Sequence, residues 1–225
     1  MAEPSLLPSA PTIDLGDGSA AQVSAGTAAA PRTSAGSGSE LARSYARSYQ
    51  TLQAEFAAQM DRSGMVRLFG QTQLSTADGL SGARRALDAA ASAVRQYHLG
   101  EGSIEKAFQD SARALERNGA TPADLRDWMT HASLKEPREA AAEGTRLLGQ
   151  IDAVFALLQA QSGKYRIEGS TVRFEDSNAA ARYAELQGWI TRRLEHWSGQ
   201  PASSVPVTVQ PILEGIGLTR LPPSR

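Results

Sequence analysis

Three histidines, His98, His131 and His196, are the side chains of this chain best suited to moving protons or holding a metal near neutral pH. None stands at a metal-ligand spacing from another, and no H-E-x-x-H pattern is present. Each falls near a different expected helix end, where an imidazole compensates the helix dipole or meets solvent. The chain has no cysteine, so disulfides, thiolate metal sites and cysteine nucleophiles are all excluded. Gly16-Asp17-Gly18-Ser19-Ala20-Ala21 matches G-x-G-x-x-A in letters. It lies in a coil-like stretch, whereas dinucleotide binding requires the turn between a strand and a helix. Glu175-Asp176 is a carboxylate pair just before an expected helix, where capping explains it better than acid–base chemistry. Arg182, Arg192 and Arg193 alternate with Glu185 and Glu195 and read as a solvated, ion-paired helix face. No nucleophile, base or metal cluster converges, so the expected chemistry is non-enzymatic, with no cofactor.

The elements that would position these residues are mostly helices. Residues 1–38 are the exception: Ala, Gly, Ser, Pro and Thr supply 27 of the 38, and no aromatic occurs. Such a stretch cannot bury enough surface to offset its ordering entropy, and is expected to be disordered. A helix is expected from Ser39, with Leu41, Tyr45, Tyr49, Leu52, Phe56 and Met60 at steps of 4, 4, 3, 4 and 4. Burying these six side chains does not offset the cost of ordering a helix of roughly 20 residues, so the stripe needs a partner inside or outside the chain. Mixed signals follow over 64–79. A second helix is expected over Leu80–His98, ended by Gly100 and Gly102. A third is expected from a Ser103 cap, closed by Asn118-Gly119 in a left-handed turn. Thr121-Pro122-Ala123-Asp124 is a strong helix start, with Leu125, Trp128 and Met129 on its apolar face. From Pro137 to Gln161 runs the most apolar helix, carrying Leu147, Leu148, Ile151, Val154, Phe155 and Leu158.

The period then changes. Tyr165 and Ile167, and again Val172 and Phe174, alternate with charged or polar residues around Glu168-Gly169-Ser170. This predicts a β-hairpin near 164–174, with the turn between its strands. Asp176 or Ser177 should cap a last long helix to Trp197, with Tyr183, Leu186, Ile190 and Leu194 inward. Five prolines after residue 200 forbid another long helix, leaving coil and an edge strand over Val205–Val209.

The fold expectation is therefore mainly α: a helical bundle with a small β-hairpin between the last two long helices. Three segments divide it: a disordered 1–38, a helical domain over 39–200, and a Pro-rich C-terminal tail over 201–225. Long amphipathic helices with few aromatics suit a bundle or coiled-coil assembly better than an enzyme cleft. Tyr165, Arg166, Arg173 and Phe174 on the hairpin are the candidate interaction residues. With 23 basic and 24 acidic residues the balance does not favour nucleic acid. No apolar run reaches the 18 or so residues of a transmembrane helix. The first residues, Met1-Ala2-Glu3-Pro4-Ser5, lack the basic and apolar regions of a secretory signal peptide.

One resemblance bears on function. A long helix ending in Ser162-Gly163-Lys164-Tyr165, short β segments, a further helix and the piece Val205-Pro206-Val207-Thr208-Val209 come in an order that resembles the mixed α/β region of type III secretion needle-tip proteins, the hydrophilic translocators. The Ser/Ala-rich N-terminal stretch is similar to that of type III secreted substrates. The resemblance implies a secreted, non-enzymatic virulence component exported without a signal peptide, contacting other secretion proteins or a chaperone, with homo-oligomers among its assemblies. The chain departs from the family at Gly215-Ile216-Gly217-Leu218-Thr219-Arg220-Leu221-Pro222-Pro223, which cannot supply the long C-terminal helix of a tip protein. An effector or regulator of the same route fits as well. The alternative is a cytosolic adaptor, chaperone or regulator that is never exported.

Overall fold

A computed structural model describes residues 36–65, 68–119, 138–168 and 171–217. Four long helices carry these residues: α1 (Gly36–Ser63), α3 (Ala77–Arg117), α4 (Arg138–Ala160) and α5 (Ser177–Ser198). Two short ones, α2 (Gln71–Ser75) and α6 (Gln210–Gly217), complete the α structure. The hairpin of β1 (Tyr165–Glu168) and β2 (Thr171–Phe174) stands between α4 and α5, the last two long helices, as expected. The expected disorder of 1–38 falls almost wholly outside the described residues. So do the helix start at Thr121 with Leu125, Trp128 and Met129, and His131. Helix α1 begins at Gly36, three residues ahead of the expected Ser39 cap.

Helices α1 and α3 run antiparallel along a line of aromatic contacts. Tyr45 meets Phe108 with ring centroids 4.6 Å apart, and Phe56 meets Tyr97 at 5.0 Å. Between these pairs Leu52 packs on Gly100, where an added Cβ would lie 2.5 Å from the Leu52 Cδ1. This corrects the sequence expectation. Gly100 and Gly102 do not end a helix; α3 passes through both as one element of 41 residues. Gly100 is a notch for a neighbouring side chain, and its lack of Cβ serves close approach. Ser103, expected as an N-cap, instead donates its hydroxyl to the Leu99 carbonyl one turn back, 3.0 Å away. The start of α3 is capped by Thr76, whose Oγ1 accepts from the Gly79 N–H at 3.0 Å. Its end is closed as expected, with Gly119 at φ 96° just past the C-cap Asn118.

Helix α4 supplies the centre of the core. Leu147, Ile151, Val154, Phe155 and Leu158 are completely buried. The α2 region, ambiguous in sequence, joins the same core through Met65, Leu68, Phe69 and Leu74, and Phe69 stacks on Phe155 at 5.6 Å. Helix α4 packs against the first half of α3, where Arg84 donates to Asp152 at 3.2 Å and to Gln159 at 2.9 Å. Helix α5 packs on α4 and is capped by Asp176, whose Oδ1 accepts from the Asn178 N–H at 2.8 Å.

The region after residue 200 differs from its expected coil and edge strand. Ala202–Ser204 is a 3-10 turn, and α6 follows, with Val209, Ile212 and Ile216 buried. Pro211 stands in the first turn of α6, where a missing N–H leaves no intrahelical bond unmade. The alternating valines are thus an approach to a helix, and α6 touches both α1 and α5. It is seated through Gly144 on α4, where a Cβ would lie 2.7 Å from the Thr208 Cβ and 2.9 Å from its carbonyl oxygen.

The two kinds of helical glycine separate in a denaturation experiment. Gly144→Ala meets backbone and a fully buried Thr208, and should destabilise the fold by about 1–3 kcal/mol. Gly102→Ala enters open space in mid-helix and should stabilise it by about 0.5–1 kcal/mol. Urea midpoints check both signs. A neutral Gly102→Ala would mean that residue lies outside the helix.

Candidate functional site

The hairpin is set by a short exit from α4. Gly163 takes φ 79°, and the Lys164 N–H donates to the Gln161 carbonyl at 2.8 Å, turning the chain into β1. The strands pair antiparallel with Tyr165 opposite Phe174, Arg166 opposite Arg173, Ile167 opposite Val172 and Glu168 opposite Thr171. Only Gly169 and Ser170 then connect the strands, and they lie outside the described residues.

This register divides the four candidate residues. Tyr165 and Phe174 face the core: their rings are 5.7 Å apart, and Phe174 continues to Tyr183 at 5.3 Å. The Tyr165 hydroxyl donates to the Leu74 carbonyl, tying the hairpin to α2. Burial raises the Tyr165 and Tyr183 phenols above their ordinary pKa. Arg166 and Arg173 lie on the other face, more than half exposed. Directly opposed like charges repel, and here Glu168 lies between them, 3.8 Å from the Arg166 Nε and 3.3 Å from the Arg173 Nε. The outer face of the hairpin is therefore a compact Arg–Glu–Arg cluster, and the inner face is an aromatic anchor.

A second site, not anticipated in sequence, involves the arginines of α5. Arg182 pairs with Glu185 on the surface as expected. Arg193 is partly exposed and ion-paired, but its partner lies on another helix. Its Nε reaches the Glu143 Oε1 on α4 at 2.9 Å, while the Arg146 Nη1 lies 3.6 Å from the Glu143 Oε2. The Trp197 indole N–H donates to the same carboxylate at 3.5 Å. Glu143 is 2% exposed. A buried carboxylate needs such partners, because desolvating it alone costs several kcal/mol. The clue in the sequence is the spacing: Glu143, Leu147 and Ile151 follow at steps of four, which puts the glutamate in line with the apolar stripe of α4.

The third feature lies between α1 and the second half of α3. Tyr45, Tyr49 and Phe108 form a small core apart from the main one, flanked by Leu41 and Ile104. Ser44, Ser48, Ser103 and Ala107 lie beside them along a groove of about 270 Å³. The Ser48 and Ser103 hydroxyls donate to carbonyls of their own helices, so the groove presents a small, largely apolar surface. Next to this cluster, the His98 Nδ1 is 3.0 Å from the Glu101 Oε2. The Tyr49 hydroxyl and the Glu101 Oε1 are buried and have no hydrogen-bond partner among the described residues. Burial raises the Tyr49 phenol above its ordinary pKa.

The remaining sequence candidates are placed as follows. His196 lies in the last turn of α5 with its ring edge on Trp197, 4.9 Å away. Asp176 is the α5 cap, and Gly16–Ala21 lies outside the described residues. Among the described residues no group of three His, Cys, Asp or Glu side chains could hold a metal ion, and no helix is long and apolar enough to cross a membrane. Comparison with known protein families, curated proteins and solved structures finds no match for this chain.

The Glu143 contacts make a direct prediction. Arg193→Met leaves the buried carboxylate with only the more distant Arg146 and the indole, and should cost about 3 kcal/mol. Arg192→Met, one residue away and exposed, should stay within about 0.5 kcal/mol. Chemical denaturation of the two variants beside the parent tests the contrast.

Proposed function

We propose that this protein is a non-enzymatic, mainly helical component of a bacterial type III secretion system, exported through its first 35 residues and acting through protein contacts. The observation that supports the reading best is the order of parts over Arg138–Ser198: a long helix, a hairpin and a second long helix. The composition of residues 1–38 and the absence of cysteine agree with it. The surfaces on offer are contact surfaces: the exposed Arg166–Glu168–Arg173 cluster and the small-residue groove along Tyr45 and Phe108.

Export and folding separate cleanly in one experiment, because α1 starts at Gly36. Removing residues 1–35 should abolish type III-dependent export in a secreting strain. The far-UV circular dichroism of the purified protein should stay strongly helical, with an unfolding midpoint within a few degrees of the parent. Undiminished export of the shortened chain would refute the secretion reading. Retention of the full-length chain in the cytosol under secretion-inducing conditions would favour an adaptor or chaperone that is not exported.

A further inference from the structure

A groove runs between α3 and α4, on a different face from the sites above. Its apolar lining comes from Leu87, Val94 and Leu148, whose side chains also belong to the main core. Ala91 and Gly149 open it by contributing almost no side chain. The cavity is about 250 Å³. Small-molecule and cofactor pockets run to about 300–1,000 Å³ and enclose their ligand, so this space suits one or two anchoring side chains better than a cofactor.

Two observations say what kind of group covers it. The first is charge. Asp88 and Arg95 line the groove seven residues apart on α3, about 10 Å along the axis and on one face. Neither is in an ion pair with a described residue. Asp152 adds a second carboxylate on the α4 side, partly neutralised by Arg84. The groove thus has an acidic end, an apolar middle and a basic end. The second is Gly149. A glycine in mid-helix is less stable than an alanine. At Gly144 and Gly100 the fold itself supplies the reason, in Thr208 and Leu52. At Gly149, as at Gly102, a Cβ would meet no other atom within 4 Å, but of the two only Gly149 lines this groove. A backbone bared towards an open groove, between opposite charges two turns apart, matches the helix-in-groove mode of recognition. There an amphipathic helix inserts apolar anchors and pairs its flanking charges.

We infer that the α3–α4 groove docks an amphipathic helix of a partner protein, one carrying an aliphatic anchor between a basic residue, which meets Asp88, and an acidic residue, which meets Arg95. The anchor enters beside Ala91 and Gly149. The charges set register and selectivity, since partly exposed pairs contribute little affinity each. This rests on the reading of the chain as a contact protein. Its test uses purified components and no export step, so it can fail while the secretion reading stands, and the reverse.

The probes are three helix-stabilised synthetic peptides with a central Leu and flanking residues seven positions apart: Lys and Glu, Lys and Lys, or Glu and Glu. Fluorescence anisotropy should rank the Lys/Glu peptide first on the full-length protein, by about fivefold to tenfold over the other two. Asp88→Arg should move the preference to the Glu/Glu peptide, and Arg95→Glu to the Lys/Lys peptide. Gly149→Leu should remove binding of all three while the helical circular dichroism is kept. No binding of the Lys/Glu peptide, an unchanged ranking in the charge variants, or full binding by Gly149→Leu would each overturn the inference. Sedimentation provides a further check: a self-association that Gly149→Leu abolishes would make the occupant a second copy of this chain and overturn the partner-helix assignment.

Discussion

Leu52 packs where Gly100 has no side chain, and α3 runs unbroken past that contact. A glycine pair two residues apart would ordinarily interrupt a helix, because each loses more backbone entropy on ordering than any other residue. Here the loss is offset by the antiparallel packing of α1 along the same stretch, from Phe56 on Tyr97 to Tyr45 on Phe108. With α3 unbroken, its first half lies against α4 and its second half carries the separate Tyr45, Tyr49 and Phe108 cluster. One long helix thus supports both the main core and the satellite core. The α3–α4 groove and the small-residue groove along α1 then lie on one rigid element.

The second constraint is electrostatic. Glu143 is a charge in the middle of a helix–helix interface, and an apolar residue of its size would pack there at less risk. Its partners come from both helices: Arg146 from α4, and Arg193 and Trp197 from α5. The pairing fixes the register of α5 on α4, because sliding by a turn would strand the carboxylate. The same surface receives Thr208 at Gly144, so the final short helix is positioned from the residue beside the buried charge. The hairpin is tied in from the other end of α4, through Tyr165 to Leu74 and through Phe174 to Tyr183.

What could be read from the sequence follows from periodicity. The apolar stripes of α1, α4 and α5 recur at helical spacing, and their inward residues are those expected. Tyr49, Phe56, Ile151, Phe155, Tyr183 and Ile190 are all buried. The hairpin was legible because a period of two stands out against 3.6, and the Asp176 cap because a cap is a local interaction. The errors arose where a distant contact overrode a local preference. Gly100 reads as a stop until Leu52 is set beside it. Val205–Val209 reads as a strand until the core takes Val209 into the approach to α6. Arg193 reads as paired along its own helix until Glu143 is opposite. The same limit applied to the hairpin residues: alternation put Tyr165 and Arg166 on opposite faces, yet only the packing of Tyr165 on α2 shows which face turns inward.

The continuity of α3 through Gly100 and Gly102 is the central claim, and the chain's lack of cysteine makes it directly measurable. Spin labels at A89C and E116C, both exposed positions on α3, report the length of the helix between them by pulsed electron resonance. An unbroken α3 places them roughly 40 Å apart in a single narrow distribution, at 1.5 Å per residue. A broad distribution, or one centred below roughly 30 Å, would show that the helix bends or breaks at the glycines and would contradict the account.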